Sequence, residues 1–420
     1  MKTTKRIVII GGGASGLMAS VSAAEEPDTY VTVIEKNDRP ARKLMITGKG
    51  RCNVTNNSDV NGIIKNIPQN SKFLYSVFSR FNSYDTMSFF ENCGVPLKTE
   101  RGNRVFPVSD RAVDIVDALV NKAKSEGVKF IIGEAKTILY SNNKVFGVRL
   151  NDGTEISADS VIIATGGMSY PLTGSTGDGY NLAKECGHTV TVLRPSLVPL
   201  VCHENFCSSL SGLALKNVNA SFYEEGKKKP VFEEQGELLF THFGISGPLT
   251  LSASAHLRNI GEKKYYCLID LKPALTNEQL DKRLLRDFSD ELNKDFSNSL
   301  DKLLPKSLIP VIVKLSGIKA DLKVNQITKE QRQVLVSLIK KFKLNITDTR
   351  PIEEAIITSG GISLKEIDPK TMQSKIVGGL YFAGEVIDVD AYTGGFNLQI
   401  AFSTGFVAGK ESSRKGEDDK

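Results

Sequence analysis

Three groups of residues in this 420-residue chain have types and spacings that could do chemistry. The first is Gly11-x-Gly13-x-x-Gly16, between a β-branched run and an Ala-rich stretch. In that setting Gly11 makes a tight turn, Gly13 lets the backbone approach a pyrophosphate, and Gly16 lets helix pack on strand. The helix start then offers free N–H groups and a positive dipole end to phosphate. Glu35 closes the next apolar run, where a carboxylate can accept both ribose hydroxyls of a dinucleotide. The second group is Gly384-Glu385 followed by Thr393-Gly-Gly-Phe-Asn397-Leu398-Gln399. A strand ending in a carboxylate, then a helix whose N-terminus can stabilise negative charge on a reduced flavin, selects FAD over NAD.

The third group is the polar, Gly-rich segment Arg42–Asn56. Gly48 and Gly50 allow close backbone approach. Lys43 and Arg51 could balance phosphate or reduced-flavin charge, and Asn53 and Thr55 could hydrogen-bond the ring edge or ribityl. Cys52 has two readings. Exposed beside Lys49 and Arg51, its pKa falls, and it is a candidate general acid for the proton that accompanies hydride in C=C reduction. Buried, it only packs. His242, in Thr241-His-Phe-Gly-Ile-Ser-Gly-Pro, either faces flavin and substrate or caps backbone. No second Gly-x-Gly-x-x-Gly exists, so NADH or NADPH, if it is the reductant, binds transiently without a Rossmann domain of its own.

These residues need elements to hold them. Lys5–Ile10, Leu17–Glu25 and Val31–Glu35 read as a βαβ unit. Phe73–Cys93 and Ala112–Glu126 read as helices, the second with an apolar face of Val113, Ile115, Val116, Leu119, Val120 and Ala123. Lys129–Ile132, Thr137–Tyr140, Val145–Leu150 and Val161–Ala164 read as strands. Thr165-Gly166-Gly167 and Ser175-Thr-Gly-Asp178-Gly179 then resemble segments of FAD-containing fumarate-reductase-like enzymes, although Asp178 is equally a plain N-cap. Strand-like pieces follow from Pro195, then helices from Asn277 to Lys343. The expected fold is α/β: a discontinuous Rossmann-like FAD-binding domain of the two-dinucleotide-binding-domain type (1–193 and 346–410), a β-rich insert (194–275), a helical insert (276–345) and a disordered tail (411–420).

Composition narrows the setting. No apolar run is long enough to span a membrane, and MKTTKRIVII lacks the form of a secretory segment. Six scattered cysteines without a CxxC argue for reduced thiols and against a metal site, and so for the cytoplasm. The net charge of +6 is unevenly spread: residues 276–345 hold 14 Lys/Arg and 9 Asp/Glu, against 40 and 39 elsewhere. A basic helical segment suits a polyanionic partner and equally a solvated face. No RNA-binding motif with stacking aromatics is visible, and oligomeric state is not readable.

The segments TGKGRCNVTN (47–56), RVFPVSDRAVDIVDAL (104–119), GELLFTHFGISGP (236–248) and GLYFAGEVIDVDAYTGGFNLQIAFSTG (379–405) resemble the BaiN/RdsA-type, or aminoacetone-oxidase-like, flavoproteins along nearly the whole chain. The resemblance implies FAD contacts at Ser15, Glu35, Lys43, Arg51, Asn53, Thr55, Thr165, Gly384, Glu385, Asn397 and Leu398; Ala14, Lys36 and Gly166 are expected in the same site. Family members include a ribosomal RNA dihydrouridine synthase using NAD(P)H, a bile-acid enone reductase and an aminoacetone oxidase. The expected function is therefore an FAD-dependent reductase of large-subunit ribosomal RNA. The alternatives are a small-molecule reductase or amine oxidase, and a flavin-binding regulatory protein without turnover.

Overall fold

The computed structural model describes residues 4–414. They form two compact units: one runs to Ser196 and resumes at Ile352, and Leu197–Pro351 is the other.

The first unit is built on five parallel strands. These are β1 (Lys5–Ile10), β2 (Thr29–Glu35), β3 (Lys129–Ile132), β4 (Ser160–Ile163) and β5 (Leu380–Phe382), in the order β5-β4-β1-β2-β3. Parallel strands covered on both faces read as unbroken apolar runs. Ile7–Ile10 and Val161–Ile163 are such runs, and they are buried. Helix α1 (Ala14–Ala24) connects β1 to β2, and α2 (Ala112–Ser125) precedes β3. Ile115, Val116, Leu119 and Ala123 are the buried stripe of α2. Two further helices are α3 (Asp178–Glu185) and α4 (Phe396–Ser413).

α4 lies directly on α1, and glycine makes this possible. A Cβ on Gly405 would sit 2.3 Å from the Ser15 carbonyl oxygen, and one on Gly409 the same distance from that of Ala19. Ser22 Oγ donates across the crossing to the Phe406 carbonyl at 3.0 Å.

Two local expectations change. Phe73–Cys93 is not one helix: a first helix ends at Phe78, and Asn82 starts a new one at Ser83, its side chain accepting from Tyr84 N and Asp85 N while Asp85 accepts from Asn82 N. The tail expected from 411 is helical through Ser413, since Ser412 and Ser413 are buried against the unit. Residues 415–420 of that tail lie outside the described residues.

The second unit closes six antiparallel strands into a barrel: Leu200–Cys202, Gly244–Ser246, Phe232–Thr241, Ala214–Glu224, Tyr265–Asp270 and Phe342–Thr349, the last pairing back onto the first. Helices Asn277–Ser289 and Lys329–Lys340 each begin in a capping box, Thr276/Gln279 and Thr328/Gln331. Barrel and helices share one core, with Phe222, Phe240 and Phe342 beside Leu284, Ile312 and Leu335. The expected separate β-rich and helical inserts are thus one body. Its closing strand crosses the expected 345/346 boundary because Phe342, Leu344 and Ile346 alternate inward with period two. Arg194–Ser196 pairs instead with Ile357–Ser359 in the first unit.

Candidate functional site

The carboxyl ends of β1, β2, β3 and β4 open onto one cleft of the first unit, enclosing roughly 1300 Å³ of free space with its mouth included. That is where ligands bind in open α/β sheets. Gly11, Gly13, Ala14, Ser15, Glu35, Lys36, Lys43, Thr165, Gly166, Glu385, Asn397 and Leu398 all line it.

The three glycines of the first turn do different work. Gly11 has φ +101°, and a Cβ there would meet the Ala164 carbonyl oxygen at 2.6 Å. On Gly16 it would meet the Gly11 carbonyl oxygen at 1.9 Å, so Gly16 fixes packing and does not face the cleft. On Gly13 it would meet no atom of the chain within 4 Å, although Gly13 lines the cleft. No side chain caps α1, and no acidic residue occupies its first turn. Such a helix start is an anion site. The Glu35 carboxylate is pinned beside it, accepting from Gly12 N at 2.8 Å and from Asn37 N and Nδ2 at 2.8 and 2.7 Å.

At the other end of the cleft, Lys43 Nζ lies 2.6 Å from Glu385 Oε2 and donates to Ser169 Oγ at 2.7 Å. Glu385 Oε1 also accepts from Thr358 N at 2.8 Å and Ser169 Oγ at 3.0 Å. Lys36 pairs with Asp178 at 2.5 Å. Asp178 is therefore not a cap: Gly177 is the N-cap of α3, and the carboxylate is turned to Lys36 and Thr176. Asn397 lines the cleft from the first turn of α4, its side chain closing the Ala391 loop through both Ala391 N and O.

The segment after Thr47 departs from expectation. Gly48, Lys49, Gly50 and Cys52 all have positive φ, and no residue from 48 to 56 lines the cleft. Arg51 is committed elsewhere, 2.5 Å from both Glu100 and Asp110 and stacked 4.1 Å over Phe106. Its guanidinium holds the Glu100 carboxyl below the usual carboxylate range. Cys52 is fully buried beside Leu17, Leu44 and Val54. Burial pushes its thiol up to about 12, opposite to the lowering expected from Lys49 and Arg51, whose charges stay in water. A buried, protonated thiol packed in a core matches the packing reading and not the general-acid one. Thr55 Oγ1 donates to Gln399 at 2.5 Å. Gly384 (φ +77°) gives Ser15 room: a Cβ there would lie 2.4 Å from Ser15 Oγ. His242 lies in the second unit, exposed in the turn after Thr241, its ring edge-on to Phe243.

Thr165 lines the cleft, and its buried Oγ1 has no hydrogen-bond partner among the described residues. Buried polar groups are normally satisfied. The uncapped start of α1, the open Gly13 and the pinned Glu35 make the cleft fit a dinucleotide.

Arg42 and Thr47, within the segment singled out from the sequence, also line the cleft, whereas sequence reasoning missed Asn37 and Gly133-Glu134-Ala135. The last three follow β3, and β3 is the parallel neighbour of β2. Placing that strand in the sheet order would have found them.

The family model described as HI0933-like protein Rossmann domain matches residues 5–411. The 3-dehydro-bile acid delta(4,6)-reductase of Clostridium scindens is 32% identical over 98% of this chain and 99% of its own length. The ribosomal RNA dihydrouridine synthase of Escherichia coli is 31% identical over 96% of this chain and 97% of its own. Among solved structures, Aquifex aeolicus GidA overlaps 97% of this chain and 66% of its own at 13% identity, with a TM-score of 0.40. With a family match running from β1 to the end of α4, and relatives matched over nearly their full length, the chain belongs to the HI0933-like family of FAD-dependent oxidoreductases.

Proposed function

We propose that this enzyme is an NAD(P)H-dependent C=C reductase that makes dihydrouridine in large-subunit ribosomal RNA. The observation that carries the reading is the pair of relatives: one is named a dihydrouridine synthase and the other a delta(4,6)-reductase. Both names describe saturation of a conjugated C=C bond, so the reaction class does not depend on which is nearer.

FAD, when bound, supplies the hydride chemistry. The chain's own residues bind and orient it. Gly13 and the start of α1 take the phosphates, and the pinned Glu35 takes the ribose. Ser15, Lys36, Thr165 and Gly166 line its path. The Lys43–Glu385 pair and the first turn of α4, with Asn397 and Leu398, set the electrostatics at the other end. NADH or NADPH would visit without a second Rossmann turn.

The test is deletion of the gene followed by mass spectrometry of dihydrouridine in large-subunit RNA. Loss of one dihydrouridine, restored by the wild-type gene, is expected. An unchanged level sinks the RNA reading and leaves the alternative, reduction of a small enone, to be checked by NAD(P)H oxidation with steroid enones.

A further inference from the structure

A second groove of the first unit lies against the FAD cleft. Met45, Ile46, Tyr170, Pro171 and Leu172 form its apolar wall, and Arg39, Arg42 and Glu353 supply its charge. It encloses roughly 1140 Å³ of free space, its open mouth included. Arg42 and Thr173 line groove and cleft alike, so the two share a wall. That wall is tied to both ends of the cleft. Asn37, held by Glu35, donates to the Thr173 carbonyl at 3.2 Å. Ser169, the residue before Tyr170, bonds Lys43 and Glu385.

The groove differs from ordinary surface in three ways. Leu172 is 90% exposed and Ile46 47%. Single exposed apolar side chains need no explanation, but a concave run of them beside a cofactor cleft marks a binding surface. Tyr170, which opens the turn Pro171–Thr173, has φ +55°, and Ala41, before the helix Arg42–Ile46, has φ +57°. A left-handed tyrosine costs free energy, and such residues collect at ligand sites. The charge is also divided along the groove. Arg42 pairs with no carboxylate among the described residues and donates to Asn37 Oδ1 at 3.2 Å. Arg39 meets Asp117 of α2 at 3.4 Å with both groups half in water, a contact that a phosphate displaces at little cost. Asp38, exposed next to Arg39, does not line the groove. Glu353 marks the Tyr170 end, its carbonyl accepting from Tyr170 N at 3.3 Å.

The proposed reaction needs a hydride donor, and the chain has no second Gly-x-Gly-x-x-Gly to hold one. A nicotinamide dinucleotide matches the groove along its length. Its planar rings suit the apolar wall, its diphosphate the two guanidiniums, and its carboxamide N–H groups the Glu353 carboxylate. A uniform polyanion would meet Glu353 and does not suit it. We infer that this groove docks NADH or NADPH beside the cleft. The donor passes one hydride, with both electrons, to the flavin and leaves as NAD⁺ or NADP⁺. The inference rests on the proposed nicotinamide-dependent reduction and assigns the surface that holds the reductant.

The experiment uses the full-length FAD-loaded protein. Calorimetry measures binding of tetrahydro-NADPH and tetrahydro-NADH, which cannot give a hydride. Anaerobic stopped flow follows bleaching of the flavin by NADPH and NADH. Arg39→Gln and Leu172→Glu are the test variants, because neither residue lines the FAD cleft. Each is expected to weaken both probes about tenfold, through one lost charge-assisted hydrogen bond or one added repelling charge. The donor concentration that half-saturates bleaching should rise by the same factor, with the limiting rate unchanged. Leu172→Met keeps the apolar surface and should keep the affinity. Visible flavin absorbance and circular dichroism certify each variant. Unchanged affinity in correctly folded Arg39→Gln and Leu172→Glu overturns the groove. A wild-type protein that binds neither probe and is bleached by neither donor overturns the groove and the nicotinamide dependence together. Failure of the RNA reading looks different: dihydrouridine that persists after gene deletion removes the substrate and not the reductant's groove.

Discussion

Lys43 and Arg51 lie in one polar segment and carry the same charge, yet they belong to different structures. Lys43 is partly buried at the cleft and serves a nearly buried carboxylate, Glu385. Arg51 sits at the surface between a partly buried carboxylate, Glu100, and an exposed one, Asp110, with its plane on a phenyl ring. The switch between them is the left-handed run from Gly48 to Cys52, which redirects the chain within a few residues. Charge and proximity in sequence therefore say little about shared function. Which side of a backbone reversal a residue occupies says more.

The largest expected break in this contrast comes from Lys43→Met. It strands the Glu385 carboxylate in a site that is only 12% exposed, and removing one partner of such a pair costs about 3 kcal/mol. Urea unfolding should show that loss, gel filtration should show FAD released, and adding Glu385→Gln should recover much of the stability. Wild-type stability in the single variant would mean the pair contributes nothing.

Cys52→Ala comes next, with about 1 kcal/mol lost from packing and turnover retained. Abolished turnover with normal FAD content would restore the general-acid role. Its pH signature has a definite sign. The unfolded thiol ionises from its ordinary value of 9.0, whereas the folded one stays protonated to about 12. Between those values the unfolded state binds fewer protons, so stability falls as pH rises through that window. Cys52→Ala should flatten the decline above pH 9. For the same reason native Cys52 should resist iodoacetamide at pH 8, as checked by peptide mass mapping.

The smallest effect belongs to Arg51→Gln. Arg51 and its partners lie at the surface and do not line the cleft, so FAD content should not change, and any loss of thermal stability should shrink in concentrated salt. FAD loss in this variant would place Arg51 back in the site.

The parts of the site legible in the sequence were those whose chemistry is local. The Gly11–Gly16 turn, Glu35 at a strand end and the Gly-Gly start of α4 each need only neighbours a few residues away. The fate of Cys52 depended on distant Leu17 and Leu44, and Arg51's on Glu100 and Asp110, so flanking charges misled. Gly133–Ala135 joined the cleft only through sheet order. The barrel's last strand was not legible although Phe342, Leu344 and Ile346 alternate, because only Lys341 separates it from the helix before it and no Gly or Pro marks the change.

The glycine-mediated crossing of α1 and α4 also bears on how the protein is made. α1 emerges from the ribosome early, and its partner glycines, Gly405 and Gly409, emerge only after the whole second unit has been synthesised. At roughly 5–20 residues per second this wait lasts tens of seconds. During that time the nascent first unit has no β5 at its sheet edge and no α4 against α1, so its cleft is incomplete. The barrel unit, contiguous in the chain, can fold in the interval. Cofactor capture is thus a late event, and the early half of the flavin domain is the part with most need of a chaperone.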